Sequence, residues 1–131
     1  MRRAPLAWSL LVGWAVVIWF GSSLDLGTRS IFTLFGVDKL AHAGEFALFG
    51  MLAARAVARS WPAASAWDVG QGAVALGGLW GWLDEIHQFF VSGRSTDPFD
   101  LVADLAGAIA GTWIAVRLMR AGGSARPADG G

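Results

Sequence analysis

Four apolar stretches of nearly twenty residues each leave this chain little sequence for anything else. A helix needs about 20 consecutive apolar residues to cross the hydrocarbon core of a bilayer, so four such helices would use about 80 of the 131 residues. The expectation is an all-α polytopic membrane protein with four transmembrane helices and no separate soluble domain. The spans read as Leu6–Leu24, Leu40–Val57, Val69–Val91 and Leu101–Met119. Composition agrees: 15% of residues are charged, against about 25% in soluble domains, and the mean hydropathy is +0.51. The first span follows Arg2 and Arg3, as a signal peptide would. Its apolar run exceeds the roughly 7 to 15 residues of a cleaved signal, and Gly21-Ser22-Ser23 makes a poor cleavage site, so it reads as a retained anchor.

Orientation follows from the basic residues, which cytoplasmic loops retain. With the N-terminus inside, one side carries Arg2, Arg3, Arg55, Arg59, Arg117, Arg120 and Arg126, and the other only Arg29, Lys39 and Arg94. Both termini are therefore expected in the cytoplasm, with the membrane crossed several times. Trp8, Trp61, Trp67 and Trp113 fall near the inner interface, where amphipathic rings settle, whereas Trp14, Trp80 and Trp82 lie deeper and read as packing residues. Residues 1–120 form one transmembrane domain. Residues 121–131 are Gly, Ala and polar residues without apolar period and are expected to be a disordered cytoplasmic tail. Ten basic and ten acidic residues balance, and the basic ones are scattered, which excludes the concentrated basic face of a nucleic-acid partner. The chain has no cysteine, which excludes disulfides, thiolate metal sites and thiol nucleophiles.

The other ionisable residues gather towards the outer leaflet. Asp38, Lys39, His42 and Glu45 open the second helix; Asp84, Glu85, His87 and Gln88 close the third; Arg94 and Asp97 occupy the outer loop; Asp100 and Asp104 open the fourth. Residues three, four and seven apart share a helix face. Asp38, His42 and Glu45 make one such stripe, Gly77, Gly81, Asp84 and Gln88 another, and Asp100, Asp104, Gly107 and Gly111 a third. The glycine pairs permit close backbone approach in lipid, which turns the carboxylates towards neighbouring helices. Each acidic residue at mid-helix costs about 2.5 to 3.5 kcal/mol on insertion, and each Leu, Ile, Phe or Val returns only about 0.3 to 0.6. The third span is marginal alone, and burial, protonation or pairing with Lys39, His42 or Arg94 must compensate it. Intramembrane carboxylates kept at that cost indicate function, here a polar pocket below the outer surface.

Simpler roles account for some of these residues. Asp97 before Pro98 is a helix cap, Asp38 fits a cap as well as a ligand, and Asp68 fits a cap. Asp84 and Glu85 have no capping role, and their structural alternative is an ion pair with Arg94. His42, Glu45, Asp84 and Glu85 could in principle hold zinc or magnesium, but their spacing fits no strong metal motif, so neither metal nor cofactor is expected. Ser92 and Ser95 have no base beside them, and the glycines form no phosphate cradle.

Asp38-Lys39-x-x-His42-x-x-Glu45-Phe46, then Asp84-Glu85-x-His87-Gln88 with Gly93-Arg94, then Asp100, Asp104 and Gly107, resembles the VanZ-like family over about residues 20 to 112. The resemblance implies a four-helix bacterial envelope protein whose namesake is associated with resistance to the glycopeptide teicoplanin; it does not supply a reaction. Three positions depart from the family pattern: Phe46 where Tyr is frequent, Ser92 where Pro is usual, and Asp104 where many relatives have Asn. With no Tyr in the chain, a phenolic hydroxyl is not essential here.

Two functions are consistent with this pattern. In the first, the outward polar pocket engages an envelope lipid, a lipid-linked cell-wall precursor or a lipophilic glycopeptide antibiotic. Lys39 and Arg94 would then meet an anionic headgroup, and Asp84, Glu85 and Asp104 a cationic or hydroxylated part, with Asp38, His42, Glu45, Gln88 and Asp100 completing the set. In the second, the chain is an intramembrane enzyme acting on a lipid-linked substrate, with Glu85 or His42 as general base. A proton-coupled transporter is disfavoured, because the inner halves of the last three spans carry no ionisable relay.

Overall fold

The computed structural model of the chain describes residues 3–24, 36–93 and 96–124, and these form four α-helices with no strand among them. The helices are α1 (Arg3–Ser23), α2 (Val37–Ser60), α3 (Ala66–Phe90) and α4 (Pro98–Ser124). Three are long and apolar enough to cross a membrane: Ala4–Ser23, Val37–Ser60 and Pro98–Gly122. The remaining helix, α3, has 25 residues, or about 37 Å. It falls short in hydropathy because of its glycines and the polar run Asp84, Glu85, His87 and Gln88. Of these, Asp84, Glu85 and Gln88 share a buried face with Val69, Ala73, Gly77 and Gly81, while Leu79, Trp82, Ile86 and Phe89 are exposed on the other. A polar inside and an apolar outside invert the pattern of a helix that borders water.

Local signals set the helix ends. Gly36 adopts a left-handed conformation with φ 67° and precedes α2 without a side-chain cap. Asp38 thus lies inside the first turn and does not cap the helix. At α3 the cap is Ser65, not Asp68: Ser65 Oγ accepts from Asp68 N at 3.1 Å, and Ser65 N donates back to Asp68 Oδ2 at 3.1 Å, a capping box. Asp97 caps α4 as expected, its Oδ1 accepting from Phe99 N at 2.9 Å with Pro98 in the first helical position. Helix α4 continues to Ser124, so residues 121–124 extend the last helix, and 125–131 lie outside the described residues.

Small residues control the packing. The largest interface is between α2 and α4, which run parallel: a Cβ on Gly107 would overlap the Ala43 carbonyl, one on Gly111 the Ala47 carbonyl, and one on Gly50 the Ala108 carbonyl. Helix α3 runs antiparallel to α4, with Gly77 against Ala108 and Gly81 against Asp104. Both glycine pairs therefore act as close-approach sites, one on each flank of the fourth helix. Helix α1 contacts α2 and α3. It buries Leu11, Ala15 and Ile18, and its indoles donate from Trp8 Nε1 to Ser60 Oγ at 2.8 Å and from Trp14 Nε1 to the Glu45 carbonyl at 2.9 Å. Trp14 and Trp80 are packing residues as expected. Trp82 is not: it is 54% exposed, on the apolar outer face of α3.

Candidate functional site

The up-and-down arrangement brings the C-terminal ends of α1 and α3 beside the N-terminal ends of α2 and α4, and the polar stripes meet there. Lys39 Nζ donates to Asp38 Oδ2 at 3.1 Å, to Asp97 Oδ2 at 2.6 Å and to Asp100 Oδ1. One ammonium thus ties the start of α2 to the cap and first turn of α4. Asp97, outside the helices, has its carboxyl held below the usual carboxylate range, chiefly by the Lys39 hydrogen bond and next by the Phe99 amide.

One turn deeper, His42 Nδ1 lies 2.9 Å from Asp104 Oδ1, and its Nε2 lies 3.7 Å from Asp100 Oδ2. Asp100 therefore faces both Lys39 and His42. Asp104 is 1% exposed and packs against Gly81, whose missing side chain makes room for it.

A second set is built around Asp84, which is fully buried. Its Oδ2 accepts from Ser22 Oγ at 2.7 Å and from Gln88 Nε2 at 2.9 Å. Ser22 Oγ also lies 2.9 Å from the Ile18 carbonyl, and its single proton serves one of these acceptors at a time. Beside it, Ser23 Oγ is 2.7 Å from His87 Nε2, and the His87 ring stacks on Trp19 with centroids 3.8 Å apart. Glu45 and Glu85 lie between the two sets: His42, Asp84 and Asp104 are charged neighbours of both, and Asp100 also faces Glu85.

The cluster has too many acceptors. Asp38, Asp97 and Asp100 face Lys39, and Glu45, Glu85, Asp100 and Asp104 face His42; Asp38 Oδ1, Asp84 Oδ1, Glu85 Oε1 and Asp104 Oδ2 are buried without a hydrogen-bond partner, against one buried donor in the same position, Trp80 Nε1. Burying a carboxylate costs several kcal/mol, and each hydrogen bond to a charged group returns about 1.5 to 3. Two donors roughly balance Asp84, whereas Glu85 has its buried Oε1 unmatched. Among the described residues, no group of three or more His, Asp or Glu is arranged to hold a metal ion; Asp84 is turned to Ser22 and His42 to Asp104.

Asp38, Lys39, His42, Asp100 and Asp104 thus form one network, and Gln88 and Ser22 form another around Asp84. Arg94, expected to pair with a carboxylate of α3, lies outside the described residues. Ser22, Ser23 and His87 were not among the expected site residues. The signal for them was two adjacent hydroxyls at the polar end of the most apolar span, at the level of the third helix's acids. Two grooves open at the other end of the bundle: one of about 1150 Å³ between α3 and α4, and one of about 390 Å³ between α2 and α4. None of the expected site residues lines either.

A family model described as VanZ/LLP1 matches residues 7–120 of the chain. No curated protein and no solved structure matches it.

Proposed function

This chain belongs to the VanZ-like family, and on that premise we propose that it is a four-span protein of the bacterial cytoplasmic membrane whose acidic end faces outward and binds the polar head of a lipophilic envelope molecule. Three helices have the length and hydropathy of spans. The inverted polarity of α3 supports the fourth crossing, since its exposed residues from Ala75 to Phe90 are all apolar. The positive-inside distribution supports cytoplasmic termini.

The observation that carries the binding reading is the shortage of donors. Carboxylate oxygens of Asp84, Glu85 and Asp104, from two helices at one level, are buried without partners. A ligand bringing amino or hydroxyl groups would supply the missing donors, and a lipophilic body would hold it at this depth. An envelope lipid, a lipid-linked cell-wall precursor and a lipophilic glycopeptide such as teicoplanin all have that form. Glu85 and Glu45 would make the contacts; Asp84, Asp104 and Gln88 would support them from within. Lys39, already paired with three carboxylates, with Asp38 and Asp100 would hold the entrance in shape, and Arg94 would take an anionic group of the ligand.

The His42–Asp104 pair favours a second reading. An imidazole oriented by a carboxylate is how a general base is positioned, so an intramembrane enzyme acting on a lipid-linked envelope substrate would use His42 or Glu85. Purified protein in nanodiscs, titrated separately with teicoplanin and with a polyprenyl-linked disaccharide, distinguishes the two. Saturable binding with no product, lost in Glu85→Gln, supports the binder; turnover supports the enzyme. Neither binding nor turnover with any such molecule would refute both.

A further inference from the structure

The groove between the start of α3 and the end of α4 has properties unlike those of the acidic cluster. Val74, Ile109, Val116 and Leu118 give it an apolar wall, Arg117 and Arg120 lie at its edge, and no carboxylate lines it. Its volume, about 1150 Å³, is above the range of about 300 to 1,000 Å³ usual for small-molecule pockets. Arg117 Cζ lies 4.8 Å from the centroid of the Trp113 ring. A cation–π contact does not consume the N–H donors of the guanidinium, which can meet an acceptor beyond the groove. The neighbouring groove between α2 and α4 repeats the combination, with Arg55 and Arg59 beside Leu48, Leu52 and Met119.

We propose that the groove between α3 and α4 is a binding site for an anionic phospholipid of the surrounding leaflet, with an acyl chain along Val74, Ile109 and Val116 and the phosphate at Arg117 and Arg120. Charge complementarity identifies the occupant. A wall without carboxylates and with two arginines at one edge matches a molecule that is apolar along its length and anionic at its head. A zwitterionic lipid carries the same phosphate with a cationic group beside it, so its net attraction to the arginines is weaker. The site is separate from the acidic cluster and does not depend on what binds there.

Gly70 provides a variant that leaves the fold intact. It lines the groove, and a Cβ there would meet nothing within 4 Å. Gly70→Leu therefore places a side chain in the groove, and replacing a helical glycine favours the helix. Native mass spectrometry of the full chain released from detergent with phosphatidylglycerol or phosphatidylcholine reads occupancy directly. The expected result is preferential retention of phosphatidylglycerol, reduced about fivefold by Arg117→Gln and more by Arg117→Gln with Arg120→Gln, and lowered for both lipids by Gly70→Leu with both arginines present. Equal retention of the two lipids, or unchanged retention by Gly70→Leu, would overturn the proposal. So would a dimer of the chain that Gly70→Leu dissociates, since the groove would then hold a second copy.

Discussion

At one end of the bundle Lys39 is enclosed by Asp38, Asp97 and Asp100, and Asp84 and Asp104 are sealed between helices. At the other, Arg117 lies over Trp113 beside an open groove. The helices are the same, so the difference arises from how closely they approach. At Gly107 and Gly111 the backbones of α2 and α4 meet directly, and this brings His42 within hydrogen-bond range of Asp104. Between α3 and α4 the spacing changes along the pair: Gly77 and Gly81 meet Ala108 and Asp104, whereas Gly70 meets nothing within 4 Å and a groove opens towards the arginine end. Close approach permits short, buried polar contacts, and open spacing leaves a groove beside Arg117.

The sharpest way to break this comparison is to put the same side chain at both kinds of glycine. Gly107→Leu drives a side chain into the Ala43 carbonyl. It should cost more than the 1 to 3 kcal/mol of ordinary overpacking and abolish the monodisperse species in size-exclusion chromatography. Gly70→Leu should leave thermal unfolding unchanged or slightly raised. Equal damage from the two would mean that close approach does not separate the ends.

Next in size is the buried pair. Asp104→Leu leaves His42 without its acceptor and should destabilise by about 3 to 5 kcal/mol in thermal or denaturant unfolding. Asp104→Asn keeps an oxygen for the imidazole and should cost much less. If Asn were as damaging as Leu, charge rather than the hydrogen bond would hold α2 to α4. Ser22→Ala removes one of two donors to Asp84 and should cost about 1 to 3 kcal/mol. A Ser22→Ala, Asp84→Asn cycle should show coupling between the two residues, whereas additivity would separate α1 from the site.

The smallest effect is at Asp97, the most exposed member. Because Lys39 holds its carboxyl below the usual range, the native state binds fewer protons there than the unfolded chain. Its contribution is present above the ordinary carboxylate pKa and is lost as pH falls through the lowered native value. The stability difference between the parent chain and Asp97→Asn should therefore be present at neutral pH and vanish in acid. A difference that grew in acid would reverse the assignment.

The four-helix layout and the meeting of the polar stripes were legible because hydropathy sets spans and period 3.6 sets faces. Asp97 as cap and Gly107 and Gly111 as contact residues followed from spacing alone. Three things were not legible. Ser22 and Ser23 attracted attention only as an unsuitable cleavage site, because hydroxyls in an apolar run have no signature until a partner is placed opposite. Asp38 and Asp68 resembled caps, but the cap depends on which residue leaves helical geometry first, and Gly36 and Ser65 do so. Trp82 was assigned to packing from its depth, whereas burial is decided by face, and its neighbour Trp80 occupies the inner one.

The most direct test concerns α3, on which the opposition of the two ends depends. The chain has no cysteine, so single cysteines can be placed without background at Ala63, in the connection before α3, and at Ser95, after it. With an impermeant maleimide on intact cells, Ser95→Cys should react and Ala63→Cys should react only after permeabilisation. Labelling of both in intact cells would show that α3 does not cross. Labelling of Ala63→Cys alone would place the arginine end outside and contradict the outward-facing acidic site.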